Sequence, residues 1–176
     1  NKVTTGPVLV FESRAADLPQ GPHSAVIHRA APNHPIILSG LPAYQGVVFH
    51  MPLGVRPTSG YLQINATSQI LDGVEGVLRI SSDNIRRGEM LLRPGEVGRI
   101  VRIPLSPTDF ARETLVVSFS LQGRSPQTVC STDDGLAAVV EIETTSAVYL
   151  TLDRPLDTLR DRVNAWGRIM RVAWPH

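Results

Sequence analysis

Turn-forming residues recur about every ten positions from Gly46 onward, and the stretches between them alternate between apolar and polar side chains. Successive side chains of a β-strand point to opposite faces of a sheet, so each such strand buries one row and exposes the other. Short alternating strands at a regular spacing are typical of antiparallel sandwiches and barrels. The pattern therefore predicts an all-β domain.

Eight segments carry this pattern, and two of them alternate most clearly. The predicted strands are 46–51, 59–67, 76–82, 88–92, 98–105, 113–122, 136–143 and 146–152. The apolar rows of the two clearest segments are Leu115, Val117, Phe119 and Leu121, and Leu62, Ile64 and Ala66. Asp83-Asn84 predicts a hairpin turn because both residue types tolerate a left-handed φ, and the segment Arg93 to Glu96 predicts another turn.

The two ends of the chain differ from this middle part. Residues 1–45 are rich in proline, and short candidate strands lie at Val8 to Phe11 and Ala25 to His28. Proline removes a ladder donor, so these are expected to be edge strands or extended lead-in. After residue 152 the apolar period changes to 3.6, which predicts a helix over 155–166 with Asp153 as its N-cap. We therefore divide the chain into a lead-in at 1–45, a β-domain at 46–152 and a connector at 153–176.

Composition excludes several classes of protein. Hydrophobic residues make up 42% of the chain and charged residues 19%, so a core can form and wholesale disorder is not expected. The net charge is +1 and the arginines are scattered, which argues against a nucleic-acid partner. No apolar run reaches the length of a membrane span. Because the chain starts without methionine and stops inside an apolar run, we expect it to be a piece of a longer protein, with any anchor elsewhere.

Few residues form a recognisable chemical site. The five histidines lack metal-ligand spacing, and phosphate-binding and dinucleotide motifs are absent, so neither a metal nor a cofactor is predicted. Glu141 and Glu143 share a strand face, which is more typical of a solvated surface than of a catalytic pair. Asp133 to Gly135 reads as a turn rather than a calcium loop. Cys130 is either a buried thiol or half of a bridge to a cysteine outside the chain. An enzyme is not predicted.

Outward-pointing aromatic residues are the best candidates for a binding function. Sugar-binding sandwiches combine aromatic rings with side chains that bind hydroxyl groups. The predicted strands place Tyr61 on one face with Gln63 and Asn65, and Tyr149 opposite an apolar row. These four residues are the candidate carbohydrate-binding site, and Tyr44 is a weaker candidate. The alternative is that both tyrosines are surface residues or pack on a neighbouring domain.

The order of the strand segments resembles the periplasmic B subunit of bacterial cellulose synthase. The resemblance covers residues 46 to 152 and rests on the following segments: Gly46 to Pro52, Ser59 to Asn65, Val77 to Asn84, Arg99 to Leu105, Glu113 to Phe119, the lone Cys130, and Ile142 with Ser146. The family usually has a Leu-Trp pair where this chain has Ala138 and Val139. That departure indicates a divergent member, from a synthase of a related glycan.

The resemblance implies a jelly-roll sandwich of about 8–10 antiparallel strands, like a carbohydrate-binding module, followed by an α/β domain. It also implies a periplasmic location for a protein anchored to the inner membrane, with a membrane-embedded glycosyltransferase as partner and assembly with sister copies. The family's cyclic-di-GMP label is not carried over, because the paired-arginine and Asp/Asn-x-Ser-x-x-Gly elements of such sites are missing.

The resulting hypothesis is a non-catalytic accessory module of a cellulose or related exopolysaccharide synthase. It would bind the emerging polysaccharide weakly and guide it, or help to assemble the secretion complex. The alternative is a structural sandwich that contacts other proteins and no glycan.

Overall fold

The computed structural model describes residues 34–124 and 137–161 in full, and the backbone of three further strands. The strands are β1 (Val8–Leu9), β2 (Ser24–Arg29), β3 (Ile36–Ser39), β4 (Ala43–His50), β5 (Pro57–Ile70), β6 (Glu75–Ser82), β7 (Ile85–Leu92), β8 (Gly98–Leu105), β9 (Thr114–Arg124), β10 (Ala138–Ile142), β11 (Ala147–Leu152) and β12 (Val172–Ala173). A four-residue helix, α1, spans Pro107–Phe110.

Two antiparallel sheets form the domain, which confirms the predicted all-β sandwich. The larger sheet has six strands in the order β2-β11-β5-β10-β3, and β8 pairs with the other side of β5. The smaller sheet has the order β4-β9-β6-β7. Within the described residues β1 and β12 form a separate two-stranded pair. The two proline-flanked strands, β2 and β3, occupy ends of the larger sheet.

The core lies between the two sheets and consists of the predicted apolar rows. All eight strands predicted from residue 46 onward correspond to observed strands, β4 to β11. The residues predicted to face inward on β5 and β9 are buried: Leu62, Ile64, Ala66, Leu115, Val117, Phe119 and Leu121. Phe49 from β4 and Leu150 from β11 complete the same cluster. The two-residue period thus determines which side chains enter the core.

Both predicted turns are present and have the backbone conformations that their residues favour. Asp83 and Asn84 have φ values of 46° and 67° and join β6 to β7 as a two-residue hairpin loop. In the second turn the Glu96 amide donates to the carbonyl of Arg93 over 3.2 Å, and Gly95 has a φ of 83°. Proline before a glycine of positive φ suits this type of turn.

β10 and β11 are two parts of one long strand along β5. Ile142 lies opposite Ala66 and Ala147 lies opposite Gln63, so the outer strand advances five residues while β5 advances three. The extra residues form a bulge closed by a hydrogen bond of 3.0 Å from the Ser146 amide to the Glu143 carbonyl. Bulges of this kind redirect side chains next to the interruption.

Some features differ from the prediction. β3 was not predicted, because its four residues lie between Pro35 and Pro42. Tyr44 was placed on a loop, but it lies in β4, which begins three residues earlier than expected. α1 was missed as well; it begins after Ser106, whose amide and hydroxyl both donate to the Asp109 carboxylate.

Asp109 is the buried charged group of this region. It is 3% exposed, and its carboxylate also accepts a hydrogen bond of 2.6 Å from Arg87. Arg87 in turn donates to the Ser82 hydroxyl over 2.9 Å. A buried carboxylate is tolerated when it is paired and hydrogen-bonded, so this network joins α1 to β6 and β7.

Asp153 is not the N-cap of the predicted helix. Its carboxylate accepts from the Arg56 amide and its amide donates to the Arg56 carbonyl, so it extends the pairing of β11 with the chain before β5. Helical conformation begins at residue 159 instead, where the Thr158 hydroxyl accepts a hydrogen bond from the Asp161 amide. Tertiary pairing therefore outweighs a local capping preference here.

An ion pair holds this C-terminal segment against the sandwich. Arg154 donates to the Asp161 carboxylate over 2.9 Å and to the Gly54 carbonyl over 3.0 Å. Hydrogen bonding to Arg154 lowers the pKa of Asp161, and the same bond raises the pKa of Arg154. The rest of the predicted helix, Trp166, Cys130 and the Asp133 to Gly135 turn lie outside the described residues.

Candidate functional site

The outer face of the six-stranded sheet brings together the four residues predicted as a site. β5 is the central strand, and its odd-numbered residues point away from the core between β8 and β11. Tyr61 lies directly opposite Tyr149 of β11, and the two rings stack with centroids 4.9 Å apart and planes at 11°. Gln63 and Asn65 follow Tyr61 along the same face. The side chains therefore form one continuous surface.

Arg102 of β8 covers the other side of Tyr61. Its guanidinium carbon lies 5.7 Å from the centroid of the Tyr61 ring. Because β8 and β11 flank β5 on opposite sides, Arg102 and Tyr149 approach opposite faces of this ring. We call these three residues the tyrosine platform. Its centre is a ring with both faces in contact, which favours a fixed orientation of the ring.

A row of side-chain hydrogen bonds continues from the platform along the sheet. Arg102 donates to Gln63 over 2.9 Å, and Gln63 donates to Asn65 over 3.3 Å. Asn65 donates to Thr145 over 2.7 Å, and Thr145 donates to Glu143 over 3.2 Å. We call this series, from Arg102 to Glu143, the polar row. Each member acts as a donor to the next, from a cation at one end to a carboxylate at the other, which is an arrangement of mutually strengthening hydrogen bonds.

The bulge between β10 and β11 places Asn65 in this row. The Ser146 hydroxyl lies 2.9 Å from the backbone nitrogen of Asn65 and 3.2 Å from the backbone carbonyl oxygen of Asn65. The Glu143 amide donates to the same carbonyl over 2.8 Å. A buried serine thus substitutes for backbone pairing where the strand is interrupted, and the interruption turns Thr145 toward the Asn65 side chain.

The polar row includes three residues that were not among the predicted site residues. Arg102 was only one of many scattered arginines, although its alternation with the buried Ile103 and Leu105 does predict an outward side chain. Thr145 and Glu143 reach the row through the bulge. Glu141 is exposed on β10, opposite Thr67. The two glutamates are therefore separate surface groups, each with its own surroundings.

Arg102 is a positive charge on this face that lacks a negatively charged partner among the described residues. In the described part of the chain Arg102 has no carboxylate within ion-pair distance, and its contacts are those with Gln63 and Tyr61. Its terminal nitrogens are therefore available to a ligand oxygen. Across residues 34–124 and 137–161 no group of three or more His, Cys, Asp and Glu is placed to hold a metal ion.

A separate pocket of about 320 Å³ is lined by the C-terminal end of β5. Its lining includes Ser68, Leu71, Glu96, Val97 and Val139. The tyrosines and the polar row lie outside it. Among the helices in the described residues, none has the length and apolar character needed to span a membrane.

Comparison with known proteins adds little to this geometry. No family model matches the chain, and no curated protein does. Among solved structures, the insecticidal delta-endotoxin Cry8Ea1 of Bacillus thuringiensis matches 69% of this chain at 12% identity, with a TM-score of 0.42. The mosquito-larvicidal Cry4Aa toxin of the same organism matches 76% at 10% identity, with a TM-score of 0.35. The chain spans about one fifth of the length of each toxin.

Proposed function

We propose that this chain is a non-catalytic accessory module of a bacterial cellulose or related exopolysaccharide synthase, which binds the nascent glycan weakly. The observation that carries the proposal is the gathering of Tyr61, Tyr149, Gln63 and Asn65, with Arg102, on one outer sheet face. Aromatic rings contact the C–H groups of a sugar, while amide and guanidinium groups bind its hydroxyls.

The dimensions of this face suit a short stretch of glycan. From Tyr61 to Asn65 the strand advances four residues, which at about 3.3 Å per residue corresponds to roughly 13 Å. A ligand lying along β5 would meet the platform first and the polar row afterwards. This distance along β5 corresponds to an oligosaccharide rather than to a single sugar.

The surface is held in place before any ligand arrives. Tyr61 has Tyr149 on one face and Arg102 on the other, and the polar row is hydrogen-bonded throughout. Preorganised side chains reduce the entropy lost on binding. Because the faces of Tyr61 are covered, a glycan would contact ring edges, hydroxyl groups and the terminal nitrogens of Arg102. Such contacts favour weak binding, which suits a guide that must release what it holds.

The resemblance of residues 46–152 to the cellulose synthase B subunit supports the remaining parts of the proposal. These parts are a periplasmic location, a membrane-embedded glycosyltransferase as the protein partner, and assembly with sister copies. Together they place the module where the growing chain leaves the synthase.

Isothermal titration with cellohexaose tests the glycan-binding part directly. We expect heat of binding at millimolar ligand, reduced in Tyr149→Ala and Tyr61→Ala, whose substitution removes the stacked pair. Ile85→Ala, an exposed residue of the β6–β7 hairpin, serves as the control and should bind like the wild type. Absence of heat at millimolar cellohexaose and with related glycans would remove this proposal. Robust hydrolysis of cellulose-like or acetylated glycans would overturn its non-catalytic part.

The exposed apolar residues on the same outer face as the platform favour a second candidate, a structural module that contacts protein. Ile100 on β8 is 64% exposed and Ile37 on β3 is 54% exposed, and both lie on the outer face of the six-stranded sheet. Exposed apolar residues surrounded by polar ones are common in protein interfaces. A photo-crosslinker at Ile100 that reacts with the synthase subunit, combined with a silent glycan titration, would establish this candidate instead.

A further inference from the structure

The opposite face of the sandwich carries a second row of residues that is paired across all four strands of the smaller sheet. Tyr44 of β4 lies opposite Ser120 of β9, Ser120 lies opposite Arg79 of β6, and Arg79 lies opposite Glu89 of β7. All four point away from the core, since their strand neighbours such as Phe119 are buried. With strands about 4.8 Å apart, the row extends roughly 14 Å across the sheet.

Tyr44 offers an open ring at one end of this row. It is 63% exposed, whereas Tyr61 is only partly exposed between Tyr149 and Arg102. A tyrosine with this much exposed surface on a strand can contact a ligand with a ring face. The chain has only three tyrosines, so an exposed tyrosine is a notable feature of this face.

Two polar atoms in the middle of the row have no hydrogen-bond partner and are shielded from solvent. They are the hydroxyl oxygen of Ser120 and Nε of Arg79. The guanidinium of Arg79 uses another nitrogen to donate to Gln122 over 2.7 Å, while its Nε lies 3.8 Å from the Glu89 carboxylate, beyond hydrogen-bond distance. Shielded polar groups without partners are costly, so a ligand that satisfied both would gain from them.

Small residues beside the row leave room for a ligand. Gly46, Ser118 and Ser81 are paired with one another across β4, β9 and β6, next to the row. A methyl group built on Gly46 would meet only the Val117 carbonyl, at 3.5 Å, so there is space above the sheet at this position. Val48, which is 47% exposed, borders it on the far side and supplies apolar surface.

We infer that this row is a second glycan-binding surface, which takes a neutral polyhydroxylated chain lying across the strands. Hydroxyl groups both donate and accept, so one type of ligand group can satisfy the Ser120 oxygen and the Arg79 nitrogen. A neutral ligand suits this row because the Glu89 carboxylate lies 3.8 Å from Arg79 and 3.5 Å from Arg86, and an acidic chain that approached these arginines would meet it. The inference rests on the proposed function, since it assumes that the domain binds polysaccharide.

Binding at this surface requires a small rearrangement. The two unpartnered atoms are shielded from solvent, so the Tyr44 side chain, which is 63% exposed, and the Arg79 side chain, which is 41% exposed, would have to turn outward. Exposed side chains change rotamer rapidly. The ligand would then replace the covering side chains over Ser120, while the Tyr44 ring contacts its C–H face.

Amide chemical-shift mapping of the ¹⁵N-labelled chain with cellohexaose tests the inference. We expect shifts at Gly46, Ser118 and Ser120 as well as at residues of the tyrosine platform. Tyr44→Ala should raise the dissociation constant measured from the shifts of the four-stranded sheet about tenfold. Tyr44→Phe should leave that constant nearly unchanged, because phenylalanine keeps the aromatic ring that contacts the sugar. Tyr149→Ala should leave this constant unchanged.

Each outcome separates the two proposals. Shifts confined to β5 and β11, unaffected by Tyr44→Ala, would overturn the second surface and leave the proposed function in place. Shifts confined to β4 and β9 would support the second surface and reject the platform. No shift on either sheet at millimolar cellohexaose would reject both, and stronger binding of an acidic oligosaccharide such as oligogalacturonate at the Tyr44 row would contradict its assignment to a neutral glycan.

Discussion

The two outer faces of the sandwich use similar side chains in different ways. On the six-stranded sheet, the tyrosine platform and the polar row contact one another from Arg102 to Glu143. On the four-stranded sheet, Tyr44 is 63% exposed, and Ser120 and Arg79 each keep an unpartnered polar atom. We call the first the closed face, because its contacts run from Arg102 to Glu143, and the second the open face, because its row ends in the exposed Tyr44 ring. An outward-facing position in a strand therefore does not by itself determine whether a polar residue contributes to stability or to binding. The neighbouring side chains on the adjacent strands determine it.

The difference arises from the strand arrangement. β5 is paired on both sides, and the bulge between β10 and β11 brings Thr145 and Glu143 onto the face beside it. On the other sheet the corresponding positions beside the row hold the short residues Gly46, Ser118 and Ser81, which do not reach along the face as Gln63 and Asn65 do. We therefore expect substitutions on the closed face to reduce stability as well as glycan binding, whereas those on the open face should reduce binding with little loss of stability.

The largest expected effect is at Gly60, where β5 meets β11 beneath the platform. A methyl group there would lie 2.5 Å from the Tyr149 carbonyl oxygen and 2.7 Å from the Leu150 side chain. Gly60→Ala should therefore separate the two strands and lower the free energy of unfolding by about 3 kcal/mol. Urea denaturation measures this loss.

Gly46→Ala on the open face is the matched control for Gly60→Ala. Since its methyl group would meet nothing nearer than 3.5 Å, the free energy of unfolding should change by less than about 0.5 kcal/mol. Gly60 lies on the core side of β5, so similar losses for the two variants would show that the packing beneath the platform is no tighter than that around Gly46.

A smaller effect is expected from breaking the polar row at its centre. Asn65 accepts from Gln63 and donates to Thr145, so Asn65→Ala removes both hydrogen bonds. We expect a loss of about 1–2 kcal/mol in the free energy of unfolding. Gln122→Ala, which removes one hydrogen bond with Arg79 on the open face, should cost about 0.5 kcal/mol, because the Arg79 side chain is 41% exposed and keeps Glu89 nearby. Equal losses in urea titrations of the two variants would contradict a cooperative row.

The smallest effect is expected at the surface ion pair of Arg154, which is 45% exposed, and Asp161, which lies outside both faces and provides a reference for them. The pKa of Asp161 is lowered in the folded chain, so its contribution is present above the unfolded value of about 4 and is lost as the pH falls further. As the pH is lowered from about 5 to about 2, the free energy of unfolding should therefore fall less in Asp161→Asn than in the wild type. Urea midpoints across this range test it, and an identical pH dependence would show that the pair contributes nothing.

Much of this architecture could be predicted from the sequence. The alternation in β5 and β9 identified the buried rows, and Asp83-Asn84 identified the hairpin, because two-residue periodicity and positive φ are local properties. β3 was missed because prolines flank its four residues. A local N-cap signal at Asp153 was misleading, since the residue pairs with Arg56 across the sheet.

The candidate surfaces could be predicted only in part, because they depend on pairing between distant strands. The sequence placed Tyr61, Gln63 and Asn65 on one face, but not the position of Arg102 over Tyr61, which follows from β5 pairing with β8. The row through Tyr44 and Ser120 likewise exists only once β4 lies beside β9. Register between strands far apart in sequence is not encoded in the local pattern.

The most direct test of the comparison measures unfolding and cellohexaose binding together in Tyr61→Ala and Tyr44→Ala. Tyr61→Ala should lower the free energy of unfolding by about 2 kcal/mol, because it removes a stacked pair and a cation–π contact. Tyr44→Ala should change it by less than about 0.5 kcal/mol and still weaken binding at the four-stranded sheet about tenfold. Equal unfolding costs, or unchanged binding in Tyr44→Ala, would contradict the distinction between a closed and an open face.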